Sequence, residues 1–137
     1  MWLSRTQLES FQTLRDLGLV PSFEIGTRVG RGFADLGYEE YCVLPGNRLQ
    51  SLLTGTIAPL VDADKPKLFA VLSVDEIVER IVLAGCDVVN ISSPEQRDWF
   101  LELSMNGGEH EVFKGRSLLD AAIAGLKYAL NENKNKI

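Results

Sequence analysis

From Trp99 the side chains alternate without a break: Trp99, Leu101, Leu103 and Met105 fall on one side of an extended chain, Phe100, Glu102 and Ser104 on the other. A chain with such a segment is constrained to build a sheet with one buried face, because a slip of one residue would carry every leucine into solvent. Asn106-Gly107-Gly108 follows, and these residues suit the positive φ angles of a tight hairpin, so residues 109–114 are expected to return as an antiparallel neighbour. Upstream, residues 87–92 set Val89 and Ile91 against polar positions, and Ser93-Pro94-Glu95 marks a turn. The three segments read as a meander.

Helices frame this meander. Ser73 and Glu76 have capping-box spacing, Leu72 and Ile77 form the matching hydrophobic staple, and Ile77, Val78, Ile81, Val82 and Ala84 supply an apolar face that Gly85 closes. After the meander, Ser117 caps a helix over residues 118–130 with a stripe of Leu119, Ala122, Ile123, Leu126 and Leu130, and the polar tail 131–137 is expected to fray. The same signals open the chain. Ser4 and Gln7 repeat the box, Leu3 and Leu8 the staple, and Leu8, Phe11, Leu14 and Leu17 a stripe ending at Gly18, which predicts a helix over residues 5–17.

Between these helices, residues 22–27 and 38–44 read as strands, the second stopped by Pro45-Gly46. Arg28-Val29-Gly30-Arg31-Gly32 reads as a glycine-rich connection, the tip of a hairpin or a mobile loop. Residues 48–53 suggest a short helix and residues 57–67 a connection. Hairpins with segregated helices predict an α+β fold, an antiparallel sheet with helices packed on it in a two-layer or α-β-α sandwich. One domain over residues 1–137 is expected.

A chain of 137 residues buries about two thirds of its unfolded surface, so no disulfide or metal staple is needed. Cys42 and Cys86 lie far apart without C-x-x-C spacing and read as buried free thiols. No signal-like N-terminus and no run of about 20 apolar residues occurs, which gives the expectation of a cytoplasmic protein, neither secreted nor membrane-spanning. The net charge of −5 divides as −1 over residues 1–67 and −4 over residues 68–137, a balance that disfavours a duplex nucleic acid as main partner.

Four segments carry a resemblance: Leu14-Arg15-Asp16-Leu17-Gly18, Leu44-Pro45 followed by residues 48–53, the Trp99 strand, and Ser117-Leu118-Leu119-Asp120-Ala121-Ala122. Across most of its length the chain resembles small uncharacterised proteins of phages and prophages, including those with an α-β-α sandwich domain. Residues 26–32 depart from that pattern. The resemblance implies a mobile-element origin and no catalytic residue.

Chemistry-bearing motifs are sparse. His110, the single histidine, stands between Glu109 and Glu111 without further ligands, and reads as an exposed hairpin residue. Gly30, Gly32 and Gly37 miss the spacing of a nucleotide-binding loop, leaving Arg28 and Arg31 as possible contacts for phosphate or carboxylate. Glu39 and Glu40 are sequential in a strand and point apart. Ser51, Ser73 and Ser117 lack a nucleophile-elbow context. Trp2, Phe33, Tyr38, Tyr41, Trp99 and Phe113 suit core positions, whereas Phe100 must face away from the leucines, beside Glu102, where it marks an interface or a second covering layer.

These residues lead to a non-enzymatic accessory protein acting by protein contact or self-association, with no cofactor, no metal and no membrane partner expected. Its candidate binding residues are Arg28, Arg31, Phe100, Glu102 and His110. The alternatives are an enzyme pairing Arg28 or Arg31 with a carboxylate such as Glu109, and a regulator engaging nucleic acid through Arg28, Arg31 and Arg48.

Overall fold

The computed structural model describes residues 3–33, 37–105 and 108–135. They form two compact units, residues 1–71 and 72–137, each built around its own antiparallel sheet, and the fold is α+β as expected.

The first unit opens with helix α1 (Arg5–Asp16). Ser4 Oγ accepts the Gln7 N–H at 3.1 Å while Gln7 Oε1 accepts the Ser4 N–H at 3.0 Å, so the capping box closes reciprocally. At the other end Gly18 takes φ +103°, the Gly18 N–H bonds to the Arg15 carbonyl, and the Leu19 N–H bonds to the Leu14 carbonyl. This is a Schellman closure, with Leu14 and Leu19 both buried as its apolar clasp.

Five strands follow: β1 (Arg28–Phe33), β2 (Gly37–Leu44), β3 (Arg48–Ser51), β4 (Ile57–Pro59) and β5 (Phe69–Val71), in the order β4-β3-β2-β1-β5. Helix α1 packs on β5, β1 and β2, burying Leu8, Phe11 and Leu14. Val29, Val43, Leu49, Leu60 and Leu68 form a further buried cluster, with Phe23 and Tyr41 packed against it.

Three expectations are corrected here. The glycine-rich segment is strand β1, with Arg28 opposite Cys42 and Arg31 opposite Glu39. Glycine serves close approach in this strand: a Cβ on Gly30 would lie 2.5 Å from the Phe69 ring, and one on Gly32 would lie 3.1 Å from the Tyr38 ring. Residues 22–27 are no strand, since Phe23 (φ +57°) and Gly26 (φ +89°) turn the chain, and Thr27 bonds back to the Glu24 carbonyl through both its N–H and its hydroxyl. Residues 48–53 are no helix, because Gly46 (φ +81°) and Asn47 (φ +55°) reverse the chain and place Arg48 opposite Leu44. Strand β5 was not foreseen, being fully buried and too short to alternate. The connection over residues 57–67 contains β4 and a 3-10 helix (Asp62–Lys67), with Pro59 on an edge strand where its missing N–H costs no ladder bond.

The second unit is helix α2 (Val74–Leu83), strands β6 (Asp87–Ser92), β7 (Trp99–Ser104) and β8 (His110–Gly115), and helix α3 (Leu118–Asn135). The meander order β6-β7-β8 is the one expected, and Leu101 and Leu103 are completely buried. Ser73 and Glu76 close the capping box of α2, and Gly85 (φ +95°) ends it in a Schellman closure, the Gly85 N–H bonding to the Val82 carbonyl and the Cys86 N–H to the Ile81 carbonyl. Ile77 and Ile81 are buried as expected, whereas Val82 is exposed. Helix α3 packs on β7 and β8, and α2 on α3 and β6. A Cβ on Gly125 would meet Leu101, Leu103 and Ile81, which puts both helices against the leucine face of the sheet. Helix α3 runs past the expected end at residue 130 to Asn135, because each added residue gains an intrahelical bond once the helix is nucleated. Trp2 and the Asn106-Gly107 part of the predicted turn lie outside the described residues, as do residues 136–137.

Candidate functional site

Because side chains alternate along β7, burying Leu101 and Leu103 under α3 turns Phe100 and Glu102 to the opposite face. Register across the hairpin sets Val112 opposite Glu102, His110 opposite Ser104 and Lys114 opposite Phe100. From β6, Asn90 stands opposite Glu102 and Ser92 opposite Phe100. Within this unit both helices occupy the other side of the sheet, so this face carries no layer of its own.

Two shallow depressions flank Phe100. One, of about 290 Å³, is lined by Asn90, Ser92, Pro94, Phe100, Glu102 and Val112. The other, of about 250 Å³, is lined by Pro94, Glu95, Asp98, Phe100 and Lys114. Val112 is 58% exposed and Phe100 is half-buried. Around this apolar centre stand two polar pairs: His110 Nδ1 and Glu102 Oε2 lie 2.6 Å apart, and Lys114 lies 3.4 Å from Asp98. His110, read from sequence as an exposed hairpin residue, thus joins Phe100 and Glu102, already expected beside each other, on one face. Pro94, Val112 and Lys114 were missed. The signal for Val112 and Lys114 was present, since folding the hairpin symmetrically about position 107 yields the observed register, whereas Pro94 comes from the connection between β6 and β7.

Arg28 and Arg31 do not form a loop tip. Three positions apart in β1, they project to opposite faces. Arg28 lies 4.0 Å from Glu40, a carboxylate only 9% exposed, and Arg31 lies 3.9 Å from Asp64 with its guanidinium 5.1 Å above the Phe33 ring. Arg48 Nε donates to the Pro45 carbonyl at 3.0 Å. The three arginines proposed to read phosphate are therefore each engaged within their own unit.

Beside Arg31, the structure assembles a polar network that sequence reading left apart. Tyr41 donates to Glu39 Oε2 at 2.9 Å and Ser51 donates to Glu39 Oε1 at 2.5 Å, while Ser51 Oγ accepts the N–H groups of Leu53 and Thr54 at 3.3 and 3.2 Å. Burial first, and then the Glu39 carboxylate, push the Tyr41 phenol up to about 12. Ser51 is 4% exposed and its oxygen already holds two backbone amides, so it staples the turn after β3 and does not present a nucleophile.

Comparison with protein-family models, curated proteins and solved structures yields no match to this chain. Among the described residues, no group of three or more His, Cys, Asp or Glu side chains is arranged to hold a metal ion, and no helix is long and apolar enough to cross a membrane. Cys86 is buried, with its thiol 3.1 Å from Met105 Sδ, and Cys42 is half-buried where full burial was expected.

Proposed function

We propose that the chain is a non-enzymatic binding protein whose contact surface is the Phe100 face of the second unit. The observation that carries this reading is the one-sided packing of β6-β7-β8: the helices take the leucine face, leaving Phe100, Pro94 and Val112 as an apolar centre ringed by Glu102, His110, Asp98 and Lys114. An apolar centre with a polar rim is the anatomy of a protein contact. The resemblance to small phage and prophage proteins supports placing that contact in the cytoplasm, as an accessory activity of a mobile element. The arginine-based alternatives lose support, because the loop they required is a strand and its guanidinium groups face carboxylates.

The test is light scattering of the purified protein and affinity capture from host lysate, with and without nuclease, for the parent chain and the double variant Phe100→Ser/Val112→Glu. A defined dimer or a stoichiometric partner that survives nuclease and is lost in the variant supports the reading. A partner held equally by the variant, or a turnover activity that depends on a named side chain, overturns it.

A further inference from the structure

Helix α1 begins with a charge in an unfavourable place. Arg5 is its first residue and no acidic residue occupies its first turn, although the helix N-terminus carries partial positive charge that disfavours a cation. Arg5 also makes no ion pair among the described residues, in contrast to Arg28 and Arg31 in the same unit. Its surroundings give the exception a reason. Arg5 lines a pocket of about 230 Å³ together with Gln12, Gly32, Phe33, Gly37 and Tyr38.

The donors and acceptors in this pocket are unequal. The Tyr38 hydroxyl donates to Gln12 Oε1 at 2.9 Å, which occupies the amide oxygen and leaves Gln12 Nε2 as a donor. That nitrogen lies where Gly32 lacks a side chain, 3.4 Å from the position of a Cβ there. The described side chains on the pocket therefore offer a guanidinium and an amide N–H₂ as donors, with the Tyr38 and Gln12 oxygens as acceptors and no carboxylate among them. An exposed guanidinium without an ion pair among the described residues and a neutral donor lie beside a space kept open by glycine.

We infer that this pocket binds a small oxyanion, a phosphate or carboxylate group, held by Arg5 with Gln12 Nε2 as second donor. At about 230 Å³ it lies below the usual size of drug-sized sites, which suits an anionic group with a small substituent. The site belongs to the first unit and is independent of the Phe100 face.

The test is calorimetric and NMR titration of the full chain with inorganic phosphate, phenyl phosphate and benzoate. The expected result is binding of at least one probe with Kd below about 1 mM, and shifts of the Gly32 and Gly37 amide resonances. Arg5→Gln and Gly32→Ala should each weaken that binding at least tenfold, while Arg80→Gln on α2 leaves it unchanged. Thermal melts confirm that the variants fold, and Arg5→Lys, keeping the charge without the planar fork, should recover part of the affinity. Comparing the three probes separates phosphate from carboxylate as the group held. No binding of any probe, or equal binding by Arg5→Gln, overturns the inference.

Discussion

Gly30 shows how one residue can mislead a local reading and reveal a tertiary contact. Glycine in a strand sacrifices about 0.5–1 kcal/mol relative to alanine, and here it makes room for the completely buried Phe69 ring. Gly30→Ala should therefore destabilise the protein by about 1–3 kcal/mol in urea unfolding, against its propensity, and Phe69→Leu in the same chain should return part of the loss. Tyr41 makes a second residue-scale prediction. Its folded pKa of about 12 exceeds the ordinary value of 10.0, so its contribution to stability is complete below pH 10 and is lost as pH rises toward 12. Ultraviolet titration should show the Tyr41 phenol ionising near 12, and Glu39→Gln should bring it part of the way down, the part due to burial remaining. Neither glycine spacing nor the Tyr41-Glu39 pair announces this from sequence, because Phe69 and Ser51 reach these positions only through the sheet.

At the scale of elements, what was legible followed the locality of each signal. Both capping boxes, both Schellman ends and the β7 alternation are short-range patterns, and all appear where residues 4–18, 73–86 and 99–105 place them. Strand β3 and strand β5 have four and three residues, too few for a period to show, and are made strands by their partners. The junction of β8 with α3 depends on Gly115, where a Cβ would fall on the Ala121 amide and within 3 Å of Asp120. Backbone there has no slack. Gly115→Ala should cost more than a side-chain overlap, about 3 kcal/mol, visible as a lowered melting temperature. Ser73→Ala, which removes the cap of α2, should cost about 1 kcal/mol in the same assay.

At the scale of the whole molecule, the two units carry different weights of charge and different candidate surfaces. The second unit holds most of the net negative charge and the Phe100 face; the first holds the Arg5 pocket. The functional reading predicts that Phe100→Ala reduces partner binding by at least tenfold while shifting the melting temperature little, because Phe100 is half-buried on the side opposite the core; parallel binding and melting curves check it. The sequence by itself determined the three helices, the meander, its buried leucines and the outward turn of Phe100, because caps and periodicity act between residues a few positions apart. Only the tertiary structure decided that the glycine-rich arginine segment is a strand, that Ser51 joins Glu39 and Tyr41, and that Tyr38 meets Gln12 beside Gly32. Those outcomes depend on which distant side chain fills the space beside a glycine, and no local pattern encodes that distance.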